Sequence, residues 1–253
     1  MRIRLGLKTW STNVTLIAEA DKLFAQGKLD YVELFCVPNS FKDTASKWSN
    51  AHIPFVIHAP HSMAGLNFSI RGMESKNTVL AEESFRMADA LHADAVIFHP
   101  GIGGTIEETL RQASRFRDPR LVMENKPYEA IDGQKCIGAR PSEIAELLRC
   151  LDAGFCLDFG HAIEAANAIR EEPMAFIGKL LQLKPIMYHL TDGDYGGKVD
   201  RHDRYGKGNF PLGTLLSFVP DGLRVTDEAE RTNYVNLDEF VQDQRLVEQM
   251  LGA

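Results

Sequence analysis

Short runs of Val, Ile, Leu and Phe recur along the chain, separated by stretches in which apolar residues return every three or four positions. The short runs predict β-strands, and the intervening stretches predict amphipathic helices. Eight strands are predicted, over Ile3–Leu7, Tyr31–Phe35, Phe55–His58, Ala95–His99, Leu121–Glu124, Phe155–Asp158, Ile186–Leu190 and Leu223–Asp227. Helices are predicted over Val14–Gln26, Lys76–Leu91, Ile106–Phe116, Ser142–Leu151 and Asp238–Leu251.

The alternation of strands and helices predicts an α/β fold, the parallel (β/α)8 TIM barrel. A length of 253 residues with 44% hydrophobic residues is enough for one such barrel. No linker or repeat divides the chain, so we expect residues 1–253 to form a single TIM-barrel domain. A doubly wound open sheet is the alternative, but no G-x-G-x-x-G follows the first strand.

Polar residues of metal-binding type end five of the predicted strands. They are His58, His99, Glu124, Asp158 and His189. A single His at a strand end is usually an ordinary hydrogen-bonded residue. The carboxyl ends of barrel strands meet on one face, however, and burying several imidazoles and carboxylates side by side is costly unless cations neutralise them. The pattern therefore predicts a metal site on that face.

Further donors follow in the adjoining loops. They are His61, His161, Asp192, Asp200 and His202. Nitrogen and oxygen donors without thiolate suit Zn²⁺, with Mn²⁺ or Fe²⁺ as alternatives. One catalytic zinc needs three protein ligands, so this number of donors predicts two or three ions. The four Cys include no C-x-x-C pair and are expected to be reduced thiols.

Net charge is the main argument against a nucleic-acid substrate. The chain has 28 basic and 35 acidic residues, a net charge of −7, so nucleic acid could bind only through a local positive field. Three divalent ions would supply such a field at one place. No window has the apolar length of a membrane helix, and no secretory signal opens the chain, so we expect a soluble, cytoplasmic protein.

Six motifs occur in one order along almost the whole chain: H-A-P, H-P-G, E-N-K, L-D-F-G-H-A, H-L-T-D and D-R-H-D-R-Y-G-K-G. In this the chain resembles endonuclease IV, of the AP endonuclease family 2 and xylose-isomerase-like TIM-barrel superfamily. The D-R-H segment followed by G-K-G is the motif that best separates endonuclease IV from the sugar isomerases and epimerases of this superfamily. The resemblance implies a zinc-dependent DNA-repair hydrolase, a phosphodiesterase that cuts damaged double-stranded DNA 5′ to an abasic site with a trinuclear zinc cluster.

The resemblance also implies a distribution of ligands. One ion would take His58 and His99, with Glu124 bridging it to a second ion. The second ion would also take Asp158 and His189, and the third would take His161, Asp200 and His202. The last family ligand is a Glu after strand 8, where this chain offers Asp227 or Glu228; alternation along the strand points Glu228 inward. Glu124 and Glu228 are then the catalytic carboxylates.

The chain departs from the family pattern in its substrate loops. The family has a Tyr where this chain has His61, the connection from His99 to Glu124 is short, and E-N-T is replaced by E-N-K. Candidate substrate-binding residues are His61, Lys126, Arg201 and Lys207, within a wider basic set that adds Arg71, Lys198 and Arg204. Candidates to wedge open a DNA duplex are Phe41, Met63, Leu66 and Tyr205.

Two other functions remain open from the sequence. A sugar or sugar-phosphate isomerase or epimerase would use one divalent ion, with Glu124 and Glu228 as acid and base and a small sugar as substrate. Asp200 and His202 would then have no clear role. The other alternative is a non-catalytic metal-binding barrel. No feature of the sequence indicates a protein partner.

Overall fold

The structure is a computed structural model that describes residues 2–252. Its eight parallel strands form a closed barrel in which each strand pairs with its neighbours in sequence, and β1 pairs with β8. The strands are β1 (Arg4–Trp10), β2 (Tyr31–Phe35), β3 (Phe55–His58), β4 (Val96–Phe98), β5 (Leu121–Glu124), β6 (Gly154–Asp158), β7 (Met187–Leu190) and β8 (Arg224–Asp227). The predicted (β/α)8 TIM barrel is confirmed.

Helices follow every strand and pack outside the barrel. They are α1 (Ile17–Ala25), α2 (Phe41–Trp48), α3 (Glu74–Leu91), α4 (Ile106–Ala113), α5 (Pro141–Leu151), α6 (Phe159–Ile169), α7 (Pro173–Leu181), α8 (Leu212–Ser217) and α9 (Asp238–Leu251). The five predicted helices are present with small shifts at their ends. The sequence pattern did not predict α2, α6, α7 and α8.

Helix α6 begins directly at the end of β6, with no loop between them. Asp158 ends the strand and caps the helix, because its Oδ1 accepts the backbone N–H of His161 at 2.7 Å. Eight of the eleven residues of α6 are buried, so the helix lacks the polar face that makes amphipathic helices recognisable. Its first turn brings Asp158 and His161 to the same side.

Side chains of the strands alternate between the barrel interior and the layer beneath the helices. Val122 belongs to the interior cluster with Tyr31, whereas Leu121 and Met123 belong to the outer core. This alternation directs Glu124 into the barrel mouth, as the sequence pattern predicts.

The loops after β3, β4 and β5 are joined to one another. Residues Gly101–Ile102 form an antiparallel pair with Cys136–Ile137. The Asn67 side chain bonds to both the N–H and the C=O of Ile102, at 3.1 and 2.9 Å. These contacts form a collar, here meaning residues 67, 101–102 and 136–137, along one side of the barrel mouth.

Candidate metal centre

Nine side chains that the sequence identifies as metal donors lie together at the carboxyl end of the barrel. They come from the ends of β3 to β8, from the first turn of α6 and from the loop after β7. The nine, called the donor bowl below, are His58, His99, Glu124, Asp158, His161, His189, Asp200, His202 and Glu228. Six are buried, and only His99, Asp200 and His202 are partly exposed.

At one side of the donor bowl, two imidazoles meet a single carboxylate oxygen. Nε2 of His58 lies 3.2 Å from Oε2 of Glu124, and Nε2 of His99 lies 3.1 Å from the same oxygen. Two nitrogens and an oxygen that converge on one point form a three-donor set of the kind that binds a divalent ion.

A second convergence lies at the other side. Nε2 of His161 and Nε2 of His202 lie 3.1 and 2.9 Å from Oδ2 of Asp200. His202 has a backbone φ of 51°, in the left-handed region that non-glycine residues rarely adopt. The loop holds this conformation where the ring of His202 meets Asp200, which is typical of residues constrained by function.

The middle of the donor bowl is built from two adjacent strands and the residue after β8. Asp158 and His189 are direct partners in the β6–β7 register. Nδ1 of His189 lies 2.8 Å from Oε1 of Glu228, 3.6 Å from Oε2 of Glu124 and 3.9 Å from Oδ2 of Asp158. Since Oε1 of Glu124 is also 3.0 Å from Nδ1 of His161, Glu124 stands between all three groups.

Backbone oxygens orient three of the imidazoles through Nδ1. His58 Nδ1 bonds to Ala59 (2.7 Å), His161 Nδ1 to Asn125 (2.9 Å) and His202 Nδ1 to Glu228 (2.9 Å), and Nδ1 of His161 also faces Oε1 of Glu124 at 3.0 Å. A neutral imidazole that donates through one nitrogen presents a lone pair at the other. These bonds therefore favour the tautomer in which Nε2 can bind a metal.

Electrostatics favour positive charge on His161, His189 and His202, whereas burial and the Lys126 charge hold the pKa of His99 well below its usual value. Burial lowers the pKa of His202, but the Asp200 carboxylate outweighs burial and raises it to about 9. Burial likewise lowers the pKa of His189, yet Cys156 and the carboxylate of Glu228 raise it well above its usual value. Protons on these rings supply positive charge that a bound cation would replace.

The donor set fits divalent ions. The buried Nδ1 of His189 and Oε1 of Glu124 lack a hydrogen bond of normal geometry to any described residue. Such atoms are costly to bury without a partner. The bowl offers nitrogen and oxygen without thiolate, the combination that suits Zn²⁺ and also accepts Mn²⁺.

Two charged residues beneath the donor bowl were not identified from the sequence. The Glu33 carboxylate accepts a hydrogen bond from Nε2 of His189 at 2.9 Å. The Lys8 ammonium contacts Glu228 and lies 3.5 Å from Oε1 of Glu33. Glu33 is the one charged residue of the buried strand β2, and this was the available signal; Lys8 shares β1 with Arg4 and gave a weaker one.

The loop after β7 is organised by Asp192, which the sequence had counted as a donor. Its carboxylate accepts four backbone N–H groups at 2.8 to 3.1 Å, those of Gly193, Gly206, Gly208 and Phe210. Asp192 also pairs with Asp203 through two backbone hydrogen bonds of 2.9 and 3.0 Å. It therefore shapes the loop that carries Asp200 and His202, and is not grouped with the donors.

Two of the four predicted substrate-binding residues lie at the donor bowl. Nζ of Lys126 is 3.2 Å from Nε2 of His161 and 3.9 Å from Oε1 of Glu124. The ring of His61 stacks at 6.1 Å from that of His99, and burial lowers its pKa to about 4. His61 is thus neutral near pH 7 and offers an aromatic surface, whereas Lys126 offers a positive charge.

The other two substrate candidates lie further out, on the loop after β7. Arg201 is exposed and paired with Asp203 at 2.9 Å, and Lys207 is exposed. Among the wedge candidates, Met63 is 79% exposed and Phe41 is partly buried. The prediction for Leu66 and Tyr205 is wrong, because both are buried and Tyr205 donates its hydroxyl to the Leu190 carbonyl.

A family model described as the xylose isomerase-like TIM barrel matches residues 27–222. The chain belongs to this family. Endonuclease 4 of Thermus thermophilus is 29% identical over 195 residues, which is 71% of this chain and 69% of that protein. Within the family, the resemblance to endonuclease IV is confirmed.

Solved structures with different names share the fold of this chain. The crystal structure of endonuclease IV from Thermus thermophilus has a TM-score of 0.75 at 21% identity, covering 98% of this chain and 99% of that chain. A D-tagatose 3-epimerase-like protein has a TM-score of 0.73 at 19% identity, covering 98% and 97%. Both likenesses concern the fold. Within residues 2–252, no helix combines the length and apolar character that a membrane span requires.

Proposed function

We propose that this protein is a divalent-metal-dependent phosphodiesterase that cleaves DNA 5′ to abasic sites. The observation that carries the proposal is the His161–Asp200–His202 group, which adds a third donor set beside His58–His99–Glu124 and Asp158–His189–Glu228. Two or three ions at one mouth suit the hydrolysis of a phosphodiester, where both the attacking and the leaving oxygen must be stabilised. The likeness to endonuclease 4 supports the same function.

The distances between the donor atoms divide the residues into sets, one for each ion. His58, His99 and Glu124 would hold one ion, and Asp158, His189 and Glu228 would hold a second that Glu124 also reaches. His161, Asp200 and His202 would hold a third. Zinc is the proposed metal, with manganese as the alternative. When bound, such ions activate water and neutralise charge that develops on a phosphate.

The chain's own residues complete the site. Lys126, 12% exposed at the donor bowl, offers its ammonium to a phosphate oxygen. The neutral ring of His61 gives a flat surface on which a sugar displaced from the duplex can rest. Arg201 and Lys207, further out on the exposed loop, would contact flanking phosphates. In the reaction, water's oxygen bonds to phosphorus while the bond to the 3′ oxygen breaks, and that oxygen takes a proton.

A sugar isomerase or epimerase is the competing function, since an epimerase-like protein shares the fold. A single ion would serve it, and the His161–Asp200–His202 group would be superfluous. Metal content therefore separates the two functions. Two or three ions per chain support the phosphodiesterase, whereas one ion per chain supports the isomerase.

The direct test is nicking of a duplex that holds one abasic site, with an undamaged duplex as control. We expect nicking only of the damaged duplex, its loss on chelation and its recovery when Zn²⁺ is restored. His202→Ala should lower the rate at least about 100-fold, as removal of a metal-site residue does. His52→Ala, which changes an exposed His far from the donor bowl, should leave it unchanged. Equal rates for the two variants would contradict the proposal.

A further inference from the structure

Glu33 is a fully buried carboxylate in the middle of β2, within 4.8 Å of donor atoms of His58 and Glu228. Its Oε2 accepts hydrogen bonds from Nε2 of His189 at 2.9 Å and from the hydroxyl of Thr226 at 2.6 Å. Oγ1 of Thr226 lies 2.7 Å from the hydroxyl of Tyr31. His189 and Thr226 are partners in the β7–β8 register, so the strands themselves place both groups against Glu33.

Lys8 connects Glu33 to a second donor. Lys8 and Glu33 are partners in the β1–β2 register and therefore point into the barrel side by side. The Lys8 ammonium lies 3.5 Å from Oε1 of Glu33 and also contacts the Glu228 carboxylate. One buried ion pair thus touches two of the donors in the middle group, His189 and Glu228.

We propose that Glu33 is the positioning residue that fixes His189 with Nδ1 facing the middle donors, and that Lys8 extends this control to Glu228. The inference rests on the proposed function only in requiring a metal centre at the donor bowl. Glu33 touches no substrate in this assignment. It acts through His189, as a carboxylate behind a ligating imidazole does in many metal sites.

The choice of acceptor sets His189 apart from the other rings. His58, His161 and His202 are held by backbone oxygens, which any sequence would supply. His189 is held by an ionised carboxylate, a stronger acceptor that makes the imidazole a better donor to a metal. The middle ion therefore depends most on this support.

The Lys8–Glu33 pair adds this acceptor without adding net charge to the barrel interior. An unpaired carboxylate at full burial would be strongly destabilising, whereas a hydrogen-bonded pair is tolerated. An apolar pair could have filled the same space at no electrostatic cost. The presence of the charges is explained if their contacts with His189 and Glu228 matter for the ions above.

The test compares Glu33→Gln with Glu83→Gln. Glu83 is likewise buried, and it accepts backbone N–H groups of Asn39 and Phe41 away from the donor bowl. Binding of Zn²⁺ and Co²⁺ is measured by competition with a chelator. We expect Glu33→Gln to lower the affinity for one ion about 10- to 100-fold and to leave the affinity for the others unchanged. Glu83→Gln should bind all ions as the unmodified protein does.

Ring ¹⁵N shifts of His189 give a second readout that a purely structural role would not move. In metal-free protein, at a pH above the raised pKa of His189, we expect a single tautomer with the proton on Nε2, and in Glu33→Gln a mixture. The double variant Lys8→Met with Glu33→Leu removes both charges together, so it leaves no unpaired buried ion and should fold. In this double variant the ion of the middle group should still be bound weakly.

Unchanged ion affinities and an unchanged His189 tautomer in Glu33→Gln, or full affinity in the double variant, would overturn this inference alone. Failure of the proposed function is separate, since it would show as absent nicking by unmodified protein that carries its ions. An unmodified chain that binds no divalent ion would overturn both.

Discussion

Nδ1 of His189 lies 2.8 Å from Oε1 of Glu228, whereas Asp227, one residue earlier, bonds to Arg231 at 2.7 Å. Strand alternation separates these neighbours, one facing the donor bowl and the other facing α9. From this geometry we propose Glu228, and not Asp227, as the carboxylate of the donor group.

We expect Glu228→Gln and Asp227→Asn to fail in different ways. Glu228→Gln should lose one ion per chain with little change in fold, because it removes a donor of the middle group. Asp227→Asn should keep its ions but lower the free energy of unfolding by about 3 kcal/mol, since the buried Arg231 loses its partner. Metal analysis and urea unfolding measure the two effects. Metal loss in Asp227→Asn alone would reverse the assignment.

Removal of metal should destabilise the protein, because ions bind the folded donor bowl and not the unfolded chain. At 100 times the dissociation constant, one ion contributes about 2.7 kcal/mol. That amount corresponds to a fall in Tm of about 5–10 °C for a chain of this length. Thermal unfolding with and without chelator measures it. A fall equally large in His202→Ala, which should already lack one ion, would argue against a third site.

Asp192→Ala should loosen the loop after β7 without changing the binding of the ion held by His58, His99 and Glu124. Four backbone N–H groups lose their acceptor, so the loop that carries Asp200 and His202 is no longer held against the barrel. We expect weaker binding of one ion and faster proteolysis within residues 193–209. Asp194→Ala in the same loop, where the carboxylate accepts only the nearby Gly196 N–H, is the control and should behave as the unmodified protein.

Lys126→Met should weaken binding to abasic duplex while leaving the metal content unchanged. A lysine that meets a phosphate contributes to salt-dependent affinity, so its loss should reduce the slope of log affinity against log salt by about 1. Lys22→Met, at an exposed position of α1 outside the barrel, serves as the matched change and should leave both the affinity and the salt slope unchanged. Loss of an ion in Lys126→Met would mean that this lysine supports the donors instead of the substrate.

Glu108, far from the donor bowl, should contribute to the loss of stability as the pH falls. Its carboxylate accepts hydrogen bonds from Arg111 and Gln112, and these lower its pKa to about 2. An unfolded Glu titrates near 4.3, so the carboxylate stabilises the fold above that pH and loses its effect as pH falls to about 2. Glu108→Gln should therefore be less stable at pH 7, with the difference vanishing near pH 2 in denaturant titrations. A difference that stays constant with pH would show that ionisation of Glu108 is irrelevant.

The strands, and the meeting of the candidate donors at one face of the barrel, could be predicted because strand ends follow from local pattern. A short apolar run that ends in His58 or Glu124 predicts the strand, the residue at which it ends and the candidate donor. Helix α6 could not be predicted in the same way, since burial on all sides removes its amphipathic period. Glu33 and Lys8 were missed because their significance depends on the β1–β2 register, which brings them together from residues 25 positions apart in sequence. Leu66 and Tyr205 were misassigned because exposure of a loop residue cannot be read from its type.

The collar that joins Asn67, Ile102 and Cys136 ties the segments bearing His61, His99 and Lys126 into one rim. That half of the mouth cannot open one loop at a time. The opposite half, after β7 and β8, is fastened through Asp192, through the ion pairs of Arg204 with Glu239 and Asp243 of α9, and through the backbone bond from Glu230 to His202 at 2.7 Å. Both halves of the mouth are thus tied to the barrel through more than one segment, so the donors from β3 to β5 and those from the loop after β7 are held in place independently of one another.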